Sequence, residues 1–387
     1  MTTTRRQFIG QSIGLGAILA GLPALSSCGG TSGAKQAKRA IADGLPPEKG
    51  PLRIVNYADY VSADVVADFE KEFGVKVEIA TIDTDAEMIQ KLASGAIKTD
   101  VVHSLASSSI DRLIAGGLIQ PLNKSYLPNE KNVVASLQDP WYDKGAVYSA
   151  PYTYFGTGIG YRADRVDPAQ IEKWGWDTLW SAEKFKGQCS ILDDDREAFT
   201  MAMLRKGVID INTTDPKVIA QALADVTELI KLVNIKINIT GYTDIPTGVT
   251  TIAQTWSADL VTGALGYLPE GTGPEVLGFW HPPAGAYAVT NDSMGVKADA
   301  AYPVLAHKYI NYLLDYDVSE KNFSSIGYLP ALTKLDADYV VAQGHVPENL
   351  RSCVPTPDEI AKGLQFRPLG TKAKLYEDAW SKLRAGA

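Results

Sequence analysis

Four acidic residues lie within one short stretch of the chain: positions 193–195 are aspartates, and Glu197 follows them. The apolar pair at 191–192 predicts the end of a strand, and apolar residues at 199, 203 and 204 predict a helix after it. In open α/β sheets, ligands bind where strands give way to helices. Helix capping and the helix dipole would account for two or three of these acids. The surplus indicates a site that binds a cation.

The length and charge of the chain reduce the range of possible functions further. A chain of 387 residues is too long for one ordinary core and fits two lobes. Its 45% hydrophobic and 21% charged residues describe a globular protein. Removing the first 27 residues takes away two arginines and no acid, so the formal net charge falls from -8 to -10. Such a surface repels nucleic acid and suits a small cationic ligand.

The N-terminus has the features of an export signal. Arg5 and Arg6 form the pair of a twin-arginine signal, and residues 13–25 are apolar but too few to span a bilayer comfortably. Residues 25–28 look like a lipobox, which predicts that Cys28 becomes lipidated and anchors the protein to a membrane. A plain export signal with a chance cysteine is the alternative. We therefore predict a twin-arginine lipoprotein signal over 1–27 and a flexible tether over 28–51.

The first part of the body alternates strands and helices. Strands are predicted at 52–57, 75–79 and 100–102. Helices are predicted after Ser62, after Asp85 as a capping residue, and over 110–115. This order favours a mostly parallel sheet with helices on its faces.

Three later segments position side chains that could bind a ligand. The apolar and aromatic stretch 147–161 predicts strands that run from one lobe into the other. A strand over 251–259 would deliver Trp256 to the start of a helix, and a return strand over 286–294 would carry Asp292. An acid inside an apolar strand needs a partner to offset the cost of its burial.

Several kinds of chemistry have no motif in this chain. It lacks H-E-x-x-H, the common phosphate-binding loops, G-x-S-x-G and cysteine pairs at zinc spacing, so no metal or cofactor is predicted. Paired carboxylates could still serve glycoside hydrolysis, which spacing in sequence does not exclude. Cys189 and Cys353 could form a disulfide or remain two separate buried thiols.

Several short motifs occur in the order found in one known family. They are 52–60 (LRIVNYADY), 117–122 (GLIQPL), 192–197 (LDDDRE), 212–216 (NTTDP), 326–328 (IGY) and 375–377 (LYE). In these motifs the chain resembles, from about 51 to 386, the bacterial spermidine/putrescine-binding lipoproteins and periplasmic proteins of ABC importers. The resemblance implies an α/β, two-lobe periplasmic-binding-protein fold of type II, with mixed sheets flanked by helices and the ligand in the cleft between lobes. Lobe 1 would comprise 51–155 and 290–334, and lobe 2 would comprise 156–289 and 335–387.

The resemblance also implies a set of ligand-binding residues. The family's polyamine site surrounds the methylene chain with aromatic rings and places carboxylates at the amine ends. Carried over position by position, this site falls on Tyr57, Tyr60, Asp194, Glu197, Trp256, Asp292 and Tyr328. The set is physically coherent, since carboxylates bind ammonium groups through charge-assisted hydrogen bonds and aromatic faces attract cations.

The chain departs from the family pattern at several aromatic positions. After the third strand it has Ser107 and Ser108 where the family often has a tyrosine, and Thr290 stands where a tryptophan usually precedes the aspartate. These changes leave fewer aromatic rings to surround the methylene chain of a ligand. Which amine or amino compound binds therefore stays open.

These observations predict a non-catalytic solute-binding lipoprotein without a cofactor. It would act as a monomer outside the cytoplasmic membrane, capture a small cationic amine such as putrescine or spermidine by hinge closure, and deliver it to an ABC permease. No nucleic acid partner is expected. Two alternatives stay open: a secreted carbohydrate-active enzyme that uses Asp194 or Glu197 with Asp292, and a transport protein that binds ferric iron through its tyrosines.

Overall fold

The computed structural model describes residues 40–386 of the chain. The predicted signal over 1–27, Cys28 and the first part of the predicted tether lie outside the described residues. Within the described range, no helix combines the length and the apolar character that crossing a membrane requires.

The strands of the described region belong to one mixed sheet. They are β1 Leu52–Tyr57, β2 Val77–Ile82, β3 Val101–Ala106, β4 Ile119–Gln120, β5 Ser149–Arg162, β6 Cys189–Leu192, β7 Lys236–Asn238, β8 Ile252–Trp256, β9 Leu277–Trp280 and β10 Ala288–Lys297. The sheet order is β2-β1-β3-β10-β5-β8-β6-β7, with β4 beside β10 and β9 beside β5.

Two parallel sections of this sheet are joined by two antiparallel strands. β1 is parallel to β2 and β3, and β6 is parallel to β7 and β8. Between these sections, β10 runs antiparallel to β3 and β5, and β5 runs antiparallel to β8. The segments predicted as strands at 147–161 and 286–294 are thus β5 and β10, and the predicted mixed sheet is confirmed.

Helices cover the sheet and connect its strands. They are α1 Ala63–Phe73, α2 Asp85–Ser94, α3 Ser107–Ala115, α4 Pro168–Trp174, α5 Asp195–Arg205, α6 Pro216–Val233, α7 Gly241–Asp244, α8 Ser257–Gly266, α9 Pro303–Leu313, α10 Tyr316–Ile326, α11 Ala337–Ala342, α12 Pro357–Lys362 and α13 Ala373–Arg384. Asp215 caps α6 by accepting a hydrogen bond from the Lys217 N–H at 2.8 Å.

The second strand begins later than the predicted range 75–79. Gly74 ends α1 with a φ of 66°, and the N–H of Val75 still bonds back to that helix. Pairing with β1 therefore starts only at Val77, which lies opposite Leu52.

The cap of α2 was predicted wrongly. Thr84, rather than Asp85, caps this helix by accepting a hydrogen bond from the Glu87 N–H at 3.2 Å. Both residue types are good caps, so their order in the chain could not decide between them. The carboxylate of Asp85 is consequently available for other contacts.

The third strand is longer and the third helix starts earlier than predicted. Leu105 and Ala106 pair with Ser293 and Asp292 of β10, so the strand continues past 102. The helix then begins at Ser107 instead of 110.

The buried apolar side chains form three clusters. The largest packs β1, the start of β5, β10, α9 and α10 together, the second packs β6 with α5, α6 and α13, and the third packs β3 with α2 and α3. Cys189 belongs to the second cluster and Cys353 to the first. Both are free and buried, so the two-thiol alternative is the correct one.

Candidate functional site

A row of five aromatic rings crosses from β1 to the end of β8. The Tyr57 and Tyr60 ring centroids lie 6.0 Å apart, and Tyr60 and Tyr328 lie 4.8 Å apart. Phe155 of β5 continues the row, at 5.2 Å from Tyr328 and 6.0 Å from Trp256. The structure therefore brings together all four predicted aromatic residues. Phe155 was missed because it occupies one position in a long apolar strand, where nothing distinguishes it from core.

Asp292 lies inside β10 and is only 5% exposed. One carboxylate oxygen accepts a hydrogen bond from the Tyr60 hydroxyl at 2.9 Å, and that hydroxyl also lies 2.8 Å from the hydroxyl of Thr153. Burial, together with the nearby charge of Asp85, raises the pKa of Asp292 to about 8. A phenol therefore holds this acid, and residues 40–386 supply no ion-pair partner for its charge.

The acidic turn after β6 divides into residues with different roles. Asp193 forms an ion pair with Arg384 at 3.3 Å. Asp194 accepts the Glu197 N–H at 2.9 Å and so caps α5. Asp194 is nevertheless exposed to solvent, while burial by the surrounding protein raises its pKa. This combination is expected of a side chain on the wall of a narrow solvent-filled space.

Glu197 is 5% exposed and has one free oxygen. Oε1 accepts hydrogen bonds from the Thr157 hydroxyl at 3.0 Å and from Trp256 Nε1 at 3.1 Å. Oε2 is buried and has no hydrogen-bond partner within the described part of the chain. Burial, followed by the charge of Asp194, raises the pKa of Glu197 to about 8. The unpaired oxygen is a place for a ligand donor.

Tyr328 is paired with an acid that sequence analysis did not select. Its hydroxyl donates to Asp259 at 2.8 Å, and the hydroxyl of Thr255 donates to the same carboxylate. Burial raises the pKa of Asp259 to about 6. Its position in the first turn of α8, three residues after Trp256, was the signal that could have identified it.

Asp85 is a second acid that sequence analysis missed as a site residue. The Tyr57 hydroxyl donates a hydrogen bond to its carboxylate. Burial raises the pKa of Asp85, and the charge of Asp194 acts in the same direction. Interactions with the Ser109 hydroxyl and the Ala106 N–H lower this pKa. The signal was present in the sequence, because Asp85 follows a strand and opens a helix just as the acids at 193–197 do.

Each polar aromatic side chain in the row donates a hydrogen bond to a different acid. The pairs are Tyr57 with Asp85, Tyr60 with Asp292, Tyr328 with Asp259, and Trp256 with Glu197. A phenol or indole N–H orients a carboxylate without neutralising it. The arrangement fixes the acids in place and leaves their negative charge for a ligand.

The acids of the site lack basic partners. Among the described residues, no Lys, Arg or His lies within ion-pair distance of Asp85, Asp194, Glu197 or Asp292. The neighbouring Arg196 donates instead to the side chain of Asn212, at 2.7 Å. The same part of the chain contains no group of three His, Cys, Asp or Glu placed to hold a metal ion. A cationic organic ligand suits such a site best.

Ser107 and Thr290, which stand where the family has aromatic residues, are in contact with each other. The hydroxyls of Ser107 and Thr290 are 3.4 Å apart. Small polar side chains thus occupy these positions.

A mixed sheet with two parallel sections, crossing strands and acids beside aromatic rings defines a two-lobe binding protein for a small solute. Residues 64–347 match the model of the family described as bacterial extracellular solute-binding protein. The chain belongs to this family.

Two curated relatives are similar over most of the chain. The spermidine/putrescine-binding periplasmic protein of Salmonella typhimurium is 30% identical over 347 residues, which are 87% of this chain and 92% of that protein. The putrescine-binding periplasmic protein PotF of Escherichia coli is 30% identical over 360 residues, covering 88% and 93% of the two chains.

Solved structures confirm the predicted type II periplasmic-binding-protein fold. A putative spermidine/putrescine ABC transporter protein of Listeria monocytogenes superposes with a TM-score of 0.73 at 23% identity, covering 86% of this chain and 98% of that one. The Tp0655 lipoprotein of Treponema pallidum gives a TM-score of 0.72 at 21% identity, with the same coverage.

The raised pKa values predict how the stability of the unliganded protein depends on pH. Folded Glu197 and Asp292 keep their protons up to about pH 8, whereas unfolded acids lose theirs near pH 4. Between these values the folded state binds more protons, so the free energy of unfolding falls as pH rises, by at most about 1.4 kcal/mol per pH unit for each group.

Urea denaturation between pH 4 and 9 measures this slope. We expect Glu197→Gln to flatten it, because glutamine does not titrate. Glu228→Gln, which changes an exposed residue of α6, is the matched control and should leave the slope as it is. Equal slopes for Glu197→Gln and the unsubstituted protein would contradict the assigned pKa.

Proposed function

We propose that this protein captures a linear polyamine outside the cytoplasmic membrane and delivers it to an ABC permease. The observation that carries the proposal is the set of acids without basic partners beside a row of aromatic rings. The names of the Salmonella and Escherichia coli relatives, which refer to spermidine and putrescine, support it. Membership of an extracellular solute-binding family supports the location.

The chemistry of a polyamine matches the site in two ways. Its ammonium groups can donate charge-assisted hydrogen bonds to Asp194, Glu197 and Asp292. Its methylene groups can lie along the aromatic row, where each buried CH₂ gains about 0.8 kcal/mol and each good cation–π contact gains about 0.5–2 kcal/mol. The unpaired Oε2 of Glu197 would gain a donor.

Binding of an amine is favoured over the two alternatives. Ferric iron is bound by tyrosinate, but burial and nearby carboxylates raise the pKa of Tyr57, Tyr60 and Tyr328 well above the ordinary value. These phenols are held in the protonated form. As for a carbohydrate-active enzyme, the relatives are solute-binding proteins, and we propose that this chain likewise binds its ligand without chemical change.

Capture would proceed by closure of two lobes around the ligand. We retain the predicted boundaries, with 51–155 and 290–334 in lobe 1 and 156–289 and 335–387 in lobe 2. Strands β5 and β10 would provide the hinge, because they join the two parallel sections of the sheet. The protein would act as a monomer, and the permease would recognise the closed form.

Isothermal titration of the purified protein with putrescine, cadaverine and spermidine tests the proposal. We expect one-to-one binding of at least one amine. Asp292→Asn should weaken it by at least about 30-fold, or about 2 kcal/mol, because a buried charged partner of the ligand is lost. Asp193→Asn removes a charge that is already paired with Arg384 and is the matched control, with a change of less than about threefold. A folded protein that binds no amine would contradict the proposal.

We also propose that the chain is exported through its twin-arginine signal and anchored by a lipid on Cys28. The support is the sequence of residues 1–28 alone. Fractionation of cells that express the protein measures the anchoring. We expect Cys28→Ser to move the protein from the membrane fraction to the soluble fraction. Retention of Cys28→Ser in the membrane fraction would reject the lipid anchor.

A further inference from the structure

The charge of Asp85 exceeds what its structural contacts need. Thr84 caps α2, so Asp85 has no role in that cap. The carboxylate instead accepts a hydrogen bond from Tyr57 and faces the N-terminus of α3, whose capping position is Ala106 and has no polar side chain. A neutral asparagine could accept the same hydrogen bonds. The negative charge also favours the helix N-termini beside it, and it remains available to a cationic ligand.

Asp85 lies close to the central acid of the site. Ala106, whose N–H interacts with Asp85, pairs directly with Asp292 across β3 and β10. The charge of Asp85 raises the pKa of Asp292, and the charge of Asp194 raises the pKa of Asp85. Asp85 thus stands within electrostatic reach of acids on β10 and on the turn after β6.

Four acids are consequently linked by electrostatic interactions from one to the next. Asp194 also acts on Glu197, which is buried and keeps an unpaired oxygen. No basic residue within the described range forms an ion pair with any of the four, although the charge of Arg196 acts on Asp194 and Glu197. Approaching ammonium groups would favour the ionised forms of Glu197 and Asp292, so that all four acids would carry charge in the complex. Two positive charges on a ligand would then leave repulsion among the acids, whereas a third would remove more of it.

Resting on the proposed function, we propose that Asp85 is a specificity-determining residue whose charge favours a triply charged linear amine over a doubly charged one. The Ser107 and Thr290 hydroxyls near this end of the site are consistent with a polar, charged ligand end rather than an apolar one. The substrate class is then a triamine.

Calorimetric titration at pH 7.5 with spermidine as the triamine, and with putrescine and cadaverine as diamines, tests this inference. We expect the unsubstituted protein to bind spermidine at least about tenfold more tightly than either diamine. Asp85→Asn should reduce that preference by about tenfold, mainly through weaker spermidine binding. Asp85→Glu keeps the charge and should retain most of the preference.

Asp83→Asn is the matched control, because it removes the same charge from an exposed position on the same turn. It should leave the preference unchanged. Thermal melting of each variant shows that it is folded. Should Asp85→Asn fail to fold, Asp85→Ser removes the same charge and keeps a hydroxyl for Tyr57.

The outcomes separate this inference from the proposed function. If Asp85→Asn weakens triamine and diamines equally, or changes neither, the role of Asp85 in specificity is wrong while amine capture stands. The same conclusion follows if the unsubstituted protein binds diamines as tightly as spermidine. If the unsubstituted, folded protein binds no amine at all, the proposed function itself fails.

Discussion

This site depends on the repulsion among ionised acids that have no ion-pair partner in the described part of the chain. Asp292 is buried in the middle of the sheet, and Glu197 is equally buried beside the end of β8. Burial and neighbouring charges raise the pKa of both to about 8, so each is held at a cost whenever it is ionised. A cation placed between them would relieve that cost.

The fold explains how the acids come together. Parallel strands end at one edge of a sheet, and helices begin there, so the turns after β2 and β6 each present an acid at the start of a helix. The antiparallel strands β5 and β10 join the two parallel sections and place Asp292 at the centre. The aromatic row orients these acids through its hydroxyl and indole N–H groups. Rigid aromatic donors hold the carboxylates in place before a ligand arrives.

Much of the fold was predictable because its signals are local. Apolar patterns predicted the first three strands close to where they occur. One error has a local cause, since Thr84 and Asp85 are equally good caps. The other has a distant cause, because the strand continues past 102 only where β10 pairs with it. Helix α10 was not predicted, since its sequence has few apolar residues at regular spacing, and its apolar contacts come from the tertiary fold.

The site was only partly predictable for a related reason. Asp194, Glu197 and Trp256 stand at strand ends, where position in the chain already suggests a ligand. Asp85 and Asp259 looked like ordinary residues at helix starts, and only the folded chain places them against Tyr57 and Tyr328. The aromatic residues that donate hydrogen bonds to these acids come from distant segments of the chain. No spacing rule in the sequence connects the acids with them.

A crystal structure of the protein grown with saturating spermidine would show whether these acids bind the amine. We expect a spermidine molecule along the row from Tyr57 to Trp256, with its nitrogen atoms within about 3 Å of carboxylate oxygens of Asp292 and of Glu197. Spermidine bound away from these acids, or a site that remains empty of amine at saturation, would contradict it.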